Sequence, residues 1–191
     1  MARSASSWAA LPTEFVLKDG RSCVLREARA TDAQAFLDFL PSAFSETDFL
    51  NYLPGEFAFT LEEEERFVED RADDPTAILM LVECDGALVG SGGADRSRLR
   101  RYAHQVEIGM TVAKACWGLG IGRTILETLI EWGRHQRLRK ITLRVFAENE
   151  RARSLYESCG FVREGLLRED HLRADGTYGD TEVMAKFLAD A

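Results

Sequence analysis

The segment over residues 106–123 reads VEIGMTVAKACWGLGIGR: a β-prone run, a short turn, and Gly118, Gly120 and Gly122 on alternate positions where a helix begins. Ile121, Ile125, Leu129 and Trp132 then recur at helical spacing, with Leu126 and Ile130 widening the apolar stripe. Glycine in a helix costs about 1 kcal/mol relative to alanine, so three of them at a helix start need a reason. One reason is an anion cradle: loop N–H groups and the helix dipole converge on one point, and any side chain would obstruct the approach. The other is a tight turn and nothing more. A Walker A loop needs a lysine after the last glycine, and none is present; a dinucleotide fingerprint needs G-x-G-x-x-G, whereas the spacing here is G-x-G-x-G.

The rest of the chain frames that unit. β-prone runs at 15–17 and 22–26 flank Lys18-Asp19-Gly20 and predict a hairpin, and runs at 77–84 and 87–95 flank Asp85-Gly86, the stronger hairpin signal. Gly90, Gly92 and Gly93 indicate a bulge or close packing. Thr31-x-x-Gln34 reads as a capping box for a helix with Ala35, Phe36, Phe39 and Leu40 on one face and Pro41 as its stop; Thr60-x-x-Glu63 opens a second helix over 61–72. Residues 42–59, with Pro54-Gly55 and many aromatics, read as a structured loop or short helical turns. Strands follow at 102–112 and 140–146. Asn149 starts a helix aligning Ala152, Leu155, Tyr156 and Cys159, and Gly160 ends it. Residues 161–167 and 178–188 close the chain around Asp175-Gly176. The order ββ-α-(α)-βββ-α-β-α-ββ describes an α/β (α+β) domain whose central, mixed, mostly antiparallel sheet is flanked by helices, with one parallel pair from a strand-helix-strand unit over 104–146.

With 191 residues, 46% of them apolar, the chain is about one domain long; residues 1–13 read as a loose leader without the apolar core of a secretory signal, and 14–191 as a single domain. A net charge of −8 disfavours binding along nucleic-acid phosphates, and the longest apolar run, residues 77–82, is far short of a membrane span. Residues 62–74 hold eight acids and two arginines and read as a solvated helix face; the four arginines between 96 and 101 read as a solvated loop. Cys23, Cys84, Cys116 and Cys159 form no C-x-x-C pair and read as buried free thiols in a reducing cytoplasm. His104, His135 and His171 have no metal-site spacing, so no metal is expected.

Two segments, in this order and spacing, resemble the GCN5-related N-acetyltransferases. The family's pyrophosphate loop, [QR]-x-x-G-x-[GA], falls on Trp117, Gly118, Leu119, Gly120, Ile121 and Gly122, and its N-x-x-[AS]-x-x-x-Y-x-x-x-G-F helix falls on residues 149–161, from Asn149 through Ala152 and Tyr156 to Gly160-Phe161. Residues 24–29, VLREAR, followed by Asp32, are similar to the family's first strand and helix start, so the resemblance covers about residues 14–188. Trp117 departs from the usual glutamine or arginine. The resulting W-G-x-G, with the closing GLLRED and DGTYGDTEVM, is similar to the branch containing ribosomal-protein and spermidine acetyltransferases.

The resemblance implies acetyl-CoA as co-substrate and direct attack of a primary amine, from a small molecule or a peptide N-terminus, on the thioester; the rival is an acyl-CoA-binding sensor of the same fold without turnover. It implies that Tyr156 protonates the departing thiolate, though the same residue also reads as a core tyrosine. Glu107, on the opposite face of its strand from Val106 and Ile108, is the candidate base, directly or through water, and also reads as an exposed sheet residue. Met110, Thr111 and Val112 match the strand end whose main chain holds pantetheine. Asn149 either caps its helix, contacts the cofactor or does both, and Arg123 and Arg151 are candidates for phosphate pairing or solvated arginines. The resemblance leaves room for a homodimer. The acceptor stays open: the acidic helix suits a polyamine or basic peptide, and the arginine loop suits a carboxylate.

Overall fold

The computed structural model describes residues 11–53 and 55–188; the leader lies outside them up to residue 10, as does Pro54. β1 (Thr13–Val16) and β2 (Ser22–Glu27) form the first hairpin, and β3 (Ala77–Cys84) and β4 (Ala87–Arg96) the second. Asp85 and Gly86 both take positive φ, the turn geometry that Asp-Gly favours between twisted strands. β5 (Gln105–Val112), β6 (Lys140–Phe146), β7 (Val162–Leu172) and β8 (Tyr178–Phe187) complete one sheet in the order β1-β2-β3-β4-β5-β6-β8-β7. β5 starts three residues later than its sequence predicts, because residues 102–104 form a turn.

Every neighbouring pair is antiparallel except β5 and β6, which run parallel through Gln105↔Lys140, Val106↔Ile141 and Glu107↔Thr142 and then part. From Ile108 and Leu143 onward neither strand pairs with the other, so the sheet opens in a wedge toward their C-terminal ends.

Four helices cover the faces. α1 (Ala33–Ser45) and α2 (Leu61–Asp73) lie on the first half of the sheet, where Phe36 and Val68 pack with Ala28 and Leu81. α3 (Ile121–His135) and α4 (Glu150–Ser158) lie on the other face, over the main core. Gly90 and Gly92 explain how closely α3 approaches. A Cβ on Gly92 would stand 2.4 Å from Ile125 Cγ2, and one on Gly90 3.0 Å from Ile121 Cγ2. The bulge also exists, between Val82 and Glu83 opposite Leu88 and Gly90.

Several sequence readings are corrected. Pro41 does not stop α1, which continues to Ser45 because Ala43 and Phe44 extend the buried stripe of Phe36 and Phe39. The Thr31-x-x-Gln34 box does not form: a 3₁₀ turn over Ala30–Asp32 precedes α1, and the Asp32 carboxylate accepts from Arg29 N at 2.8 Å and from both Arg26 Nη atoms at 2.7 and 2.8 Å. The Thr60–Glu63 box forms in both directions. Within the acidic helix Glu64 is buried, and desolvation pushes its carboxyl above the usual range against the opposing pull of Arg71. Cys23 and Cys84, opposite one another across β2 and β3, form a disulfide; Cys116 and Cys159 are free. Among the described residues no helix is long and apolar enough to cross a membrane.

The glycine contact is testable. Gly92→Ala drives a methyl into Ile125 and is expected to cost about 1–3 kcal/mol in denaturant unfolding. Ile125→Leu, which removes the obstructing branch at similar volume, recovers part of that loss in the double variant.

Candidate active site at the β5–β6 opening

Past Val112 the chain makes a 3₁₀ turn over Lys114–Cys116 and enters the glycine loop. The turn is strapped from outside: Lys114 N donates to Glu46 Oε2 at 2.8 Å and Lys114 Nζ to Glu46 O at 3.0 Å, tying it to the end of α1. The β1–β2 turn also reaches it, Lys18 N donating to Leu119 O at 3.2 Å.

The three glycines have separate reasons. Gly118 (φ +79°) and Gly120 (φ +115°) take conformations that disfavour a side chain, and Gly120 is the N-cap of α3. Gly122 is a packing glycine, since a Cβ there would lie 3.2 Å from Leu155 of α4. The amides of Gly118, Leu119, Gly120, Ile121, Gly122 and Arg123 find no acceptor among the described residues, and no side chain caps α3. A Cβ on Gly120 would meet nothing within 4 Å. A run of open donors at a helix N-terminus beside free space suits an anion with several oxygens.

The arginines flanking the loop differ. Arg123 is engaged elsewhere, with Glu127 Oε1 at 3.3 Å, Ser158 Oγ at 2.8 Å and Cys159 Sγ at 3.5 Å. Arg151, in the first turn of α4, lies over the Trp117 ring, 5.4 Å from its centroid, with Nη1 3.5 Å from where a Gly118 Cβ would stand. Asn149 caps α4, its Oδ1 accepting from Ala152 N at 3.1 Å.

Met110, Thr111 and Val112 form the wall of the wedge on the β5 side, paired to β4 through Gly92, Ser91 and Gly90. Val112 O accepts from Trp117 Nε1 at 2.8 Å. Tyr156 belongs to the core under the wedge, its ring centroid 6.0 Å from that of Phe161. Its hydroxyl has no partner among the described residues, and burial pushes its pKa up to about 12.

Glu107 lies on the opposite face, at the last β5–β6 rung before the strands part. Its side chain is 55% exposed and stands 3.6 Å from Arg144 Nε. Nearby, Phe146 at the end of β6 is stacked by His171, centroids 3.6 Å apart, and His171 Nδ1 is 3.4 Å from Thr181 Oγ1. Neither Arg144 nor His171 stands out in the sequence as a site residue. Arg144 meets Glu107 only through the parallel register, and His171 reaches Phe146 through a bulge in β7 between Leu167 and His171. The Arg96–Arg101 stretch precedes β5 and so lies at the other end of that strand from the glycine loop; within it Arg98 pairs with Asp74 at 3.6 Å and Arg96 with Ala103 O. Among the described residues no group of three or more metal-ligating side chains is assembled.

The acetyltransferase (GNAT) family model matches residues 42–161. The chain is 31% identical to the L-amino acid N-acetyltransferase AaaT of Escherichia coli K12 over 120 residues, 62% of this chain and 74% of that one. It is 36% identical to the spermidine N(1)-acetyltransferase of Vibrio cholerae over 85 residues, 44% of this chain and about half, 49%, of that one. A crystal structure of a GNAT-family acetyltransferase from Streptococcus pneumoniae superposes with a TM-score of 0.84 at 29% identity, covering 87% of this chain and 99% of that one.

Burial of Tyr156 has a measurable linkage. A phenol whose pKa is raised on folding contributes its full stability below the ordinary value of 10.0; that contribution falls as pH climbs toward about 12, because the unfolded chain ionises first. Between pH 9 and pH 11, wild type is expected to lose about 1 kcal/mol more unfolding free energy than Tyr156→Phe, read from denaturant curves at the two pH values.

Proposed function

The chain belongs to the acetyltransferase (GNAT) family and moves the acetyl group of acetyl-CoA onto an amine, and from that premise we propose how the residues around the β5–β6 opening divide the work. The observation that carries the reading is the run of unsatisfied amides from Gly118 to Arg123 beside open space at Gly120. Those donors fit a pyrophosphate; the wedge leading from them, walled by Met110, Thr111 and Val112, fits an extended pantetheine arm. Acetyl-CoA, when bound there, supplies a thioester carbonyl to the amine and a sulfur that leaves as thiolate.

On the core side, Tyr156 faces the leaving group. With its pKa near 12 the hydroxyl stays protonated at neutral pH. Full transfer to a thiolate whose conjugate acid has a pKa of about 8.5 would be uphill by roughly 5 kcal/mol, so Tyr156 acts chiefly as a hydrogen-bond donor to the developing charge. Tyr156→Phe is expected to lower kcat about 10- to 100-fold, the range of a hydrogen bond to a charged group, with acetyl-CoA affinity held within about threefold. Unchanged kcat would leave Tyr156 as a packing residue.

On the open face, Glu107 receives the amine's proton, directly or through water. Arg144 beside it makes this a carboxylate–guanidinium pair, which complements a molecule carrying an amine and a carboxylate close together and offers a polycation no net charge to bind. The acceptor is therefore a small amino acid or a close analogue, the class named for the Escherichia coli relative. Release of free CoA should be measured with amino acids, their carboxamides, polyamines, aminoglycosides and N-terminal peptides. An amino acid should be acetylated at least about tenfold more efficiently than its carboxamide, a preference of roughly 1.4 kcal/mol that Arg144→Gln removes. Turnover of spermidine without turnover of any amino acid would place the acceptor among the polyamines.

A further inference from the structure

Charge in this chain is segregated. Nine of its 24 lysines and arginines and none of its 32 acids fall in residues 96–106 and 133–146, so the net charge of −8 belongs to the rest of the molecule. The fold brings the two basic segments together. His104 O, just before β5, accepts from Arg139 N at 2.8 Å and from Lys140 N at 3.3 Å, where β6 begins. The turn over residues 74–76 closes the group from one side: Asp74 Oδ2 stands 3.6 Å from Arg98 Nη2, and Pro75 O accepts from Gln136 Nε2, at the end of α3, at 3.1 Å. The basic patch therefore lies at the closed end of the β5–β6 ladder, at the other end of β5 from the glycine loop.

Local needs account for only some of these cations. Arg98 pairs with Asp74, Lys140 with Glu164 and Arg144 with Glu107, and Arg96 donates to Ala103 O. Arg134 complements the negative end of α3. Arg100, Arg101, Arg137 and Arg139 are exposed and have no side-chain partner among the described residues. Both segments are described in full, and their only exposed large hydrophobics are Leu99, at 66%, and Tyr102, at 48%. One isobutyl group and one ring are too little apolar surface to form the core of a protein interface or to anchor in lipid. A phosphate backbone needs neither: guanidinium forks take its charges, and a ring among them stacks on a base.

We infer that this end of the sheet binds a single-stranded nucleic acid, with Arg100, Arg101, Arg137 and Arg139 on the phosphates and Tyr102 stacked on a base. The net charge of the chain opposes such a partner only if the charge is evenly spread. Acids farther than about 10 Å from the patch are screened at about 0.1 M salt. Those at its border, Asp74 and Asp95, are already paired with Arg98 and Arg71. Because the glycine loop lies at the other end of β5, a molecule docked in this way keeps its cofactor loop free.

The test is fluorescence anisotropy of labelled oligouridylate and oligothymidylate, about 20 nucleotides long, titrated with the full chain between about 50 and 200 mM salt. Melting curves verify folding, and CoA release is followed alongside. Binding of either strand supports the inference, and their ratio reports whether the 2′-hydroxyl is read. Log affinity should fall against log salt with a slope of about −3, roughly −0.7 for each of four phosphates neutralised. The double variant Arg100→Gln/Arg101→Gln should bind about tenfold or more weakly at low salt, with a slope shallower by roughly 1.4 and CoA release unchanged. Arg139→Gln alone should make the slope shallower by roughly 0.7. Tyr102→Ala should cost about fivefold or more with the slope unchanged, as a stacking ring does. Arg66→Gln, an exposed arginine on the acidic helix α2, should alter neither affinity nor slope. Neither strand binding at the lowest salt, or a slope indifferent to Arg100, Arg101 and Arg139, would overturn the inference. So would polyglutamate bound as tightly as the oligonucleotides, or phosphatidylserine vesicles bound where the oligonucleotides are not.

Discussion

A helix beginning without a cap is the constraint around which this molecule is organised. α3 starts at a left-handed glycine that offers no side-chain acceptor, the amides from Gly118 to Arg123 have no acceptor among the described residues, and the space beside Gly120 is open. Unsatisfied main-chain donors at a helix start are ordinarily met by a Ser, Thr, Asp or Asn, as Thr60 does for α2 and Asn149 for α4. Their persistence at α3 requires the surrounding structure to hold the loop. Glu46 from α1, Leu119 bonded to the β1–β2 turn, and Trp117 bonded to Val112 do so from three directions.

The two faces of the sheet separate the chemistry. On the core face lie Tyr156 and the apolar layer beneath α3 and α4, where a neutral phenol is kept neutral by desolvation. On the other face α1 and α2 stop over the first strands, and Glu107 and Arg144 remain more than half exposed. The wedge between β5 and β6 is the passage between these environments. Under the proposed division of work, an amine entering from the exposed face would meet the Glu107 carboxylate, and a thiolate leaving toward the core face would meet the Tyr156 hydroxyl.

Much of this was legible in the sequence, and what was not has a common cause. Periodicity exposes α3 through Ile121, Ile125 and Leu129, and turn chemistry exposes the Asp85-Gly86 hairpin, because both are local. The glycine loop is legible for the same reason, although Gly122 serves α4 packing rather than the anion. Pro41 misleads because a local helix breaker is outweighed by the burial of Ala43 and Phe44 beyond it. The Cys23–Cys84 bond, the Glu107–Arg144 pair and the Phe146–His171 stack join residues set side by side by strand register and bulges, which no pattern along the chain reports. Arg123 and Arg151 are alike in sequence, both near a motif; only side-chain partners distinguish them.

The short β5–β6 ladder also has a mechanical meaning. Strands β1 to β5 form one continuous antiparallel unit and β6 to β8 another; the ladder between the two has three rungs, extended at its closed end where His104 O accepts from Arg139 N and Lys140 N, with α3 lying across the seam. Glu107 and Thr142 are the last rung that the two units share. A molecule that bonded to the free edges of both units would add partners beyond that rung, and its binding would then be linked to the stability of the sheet.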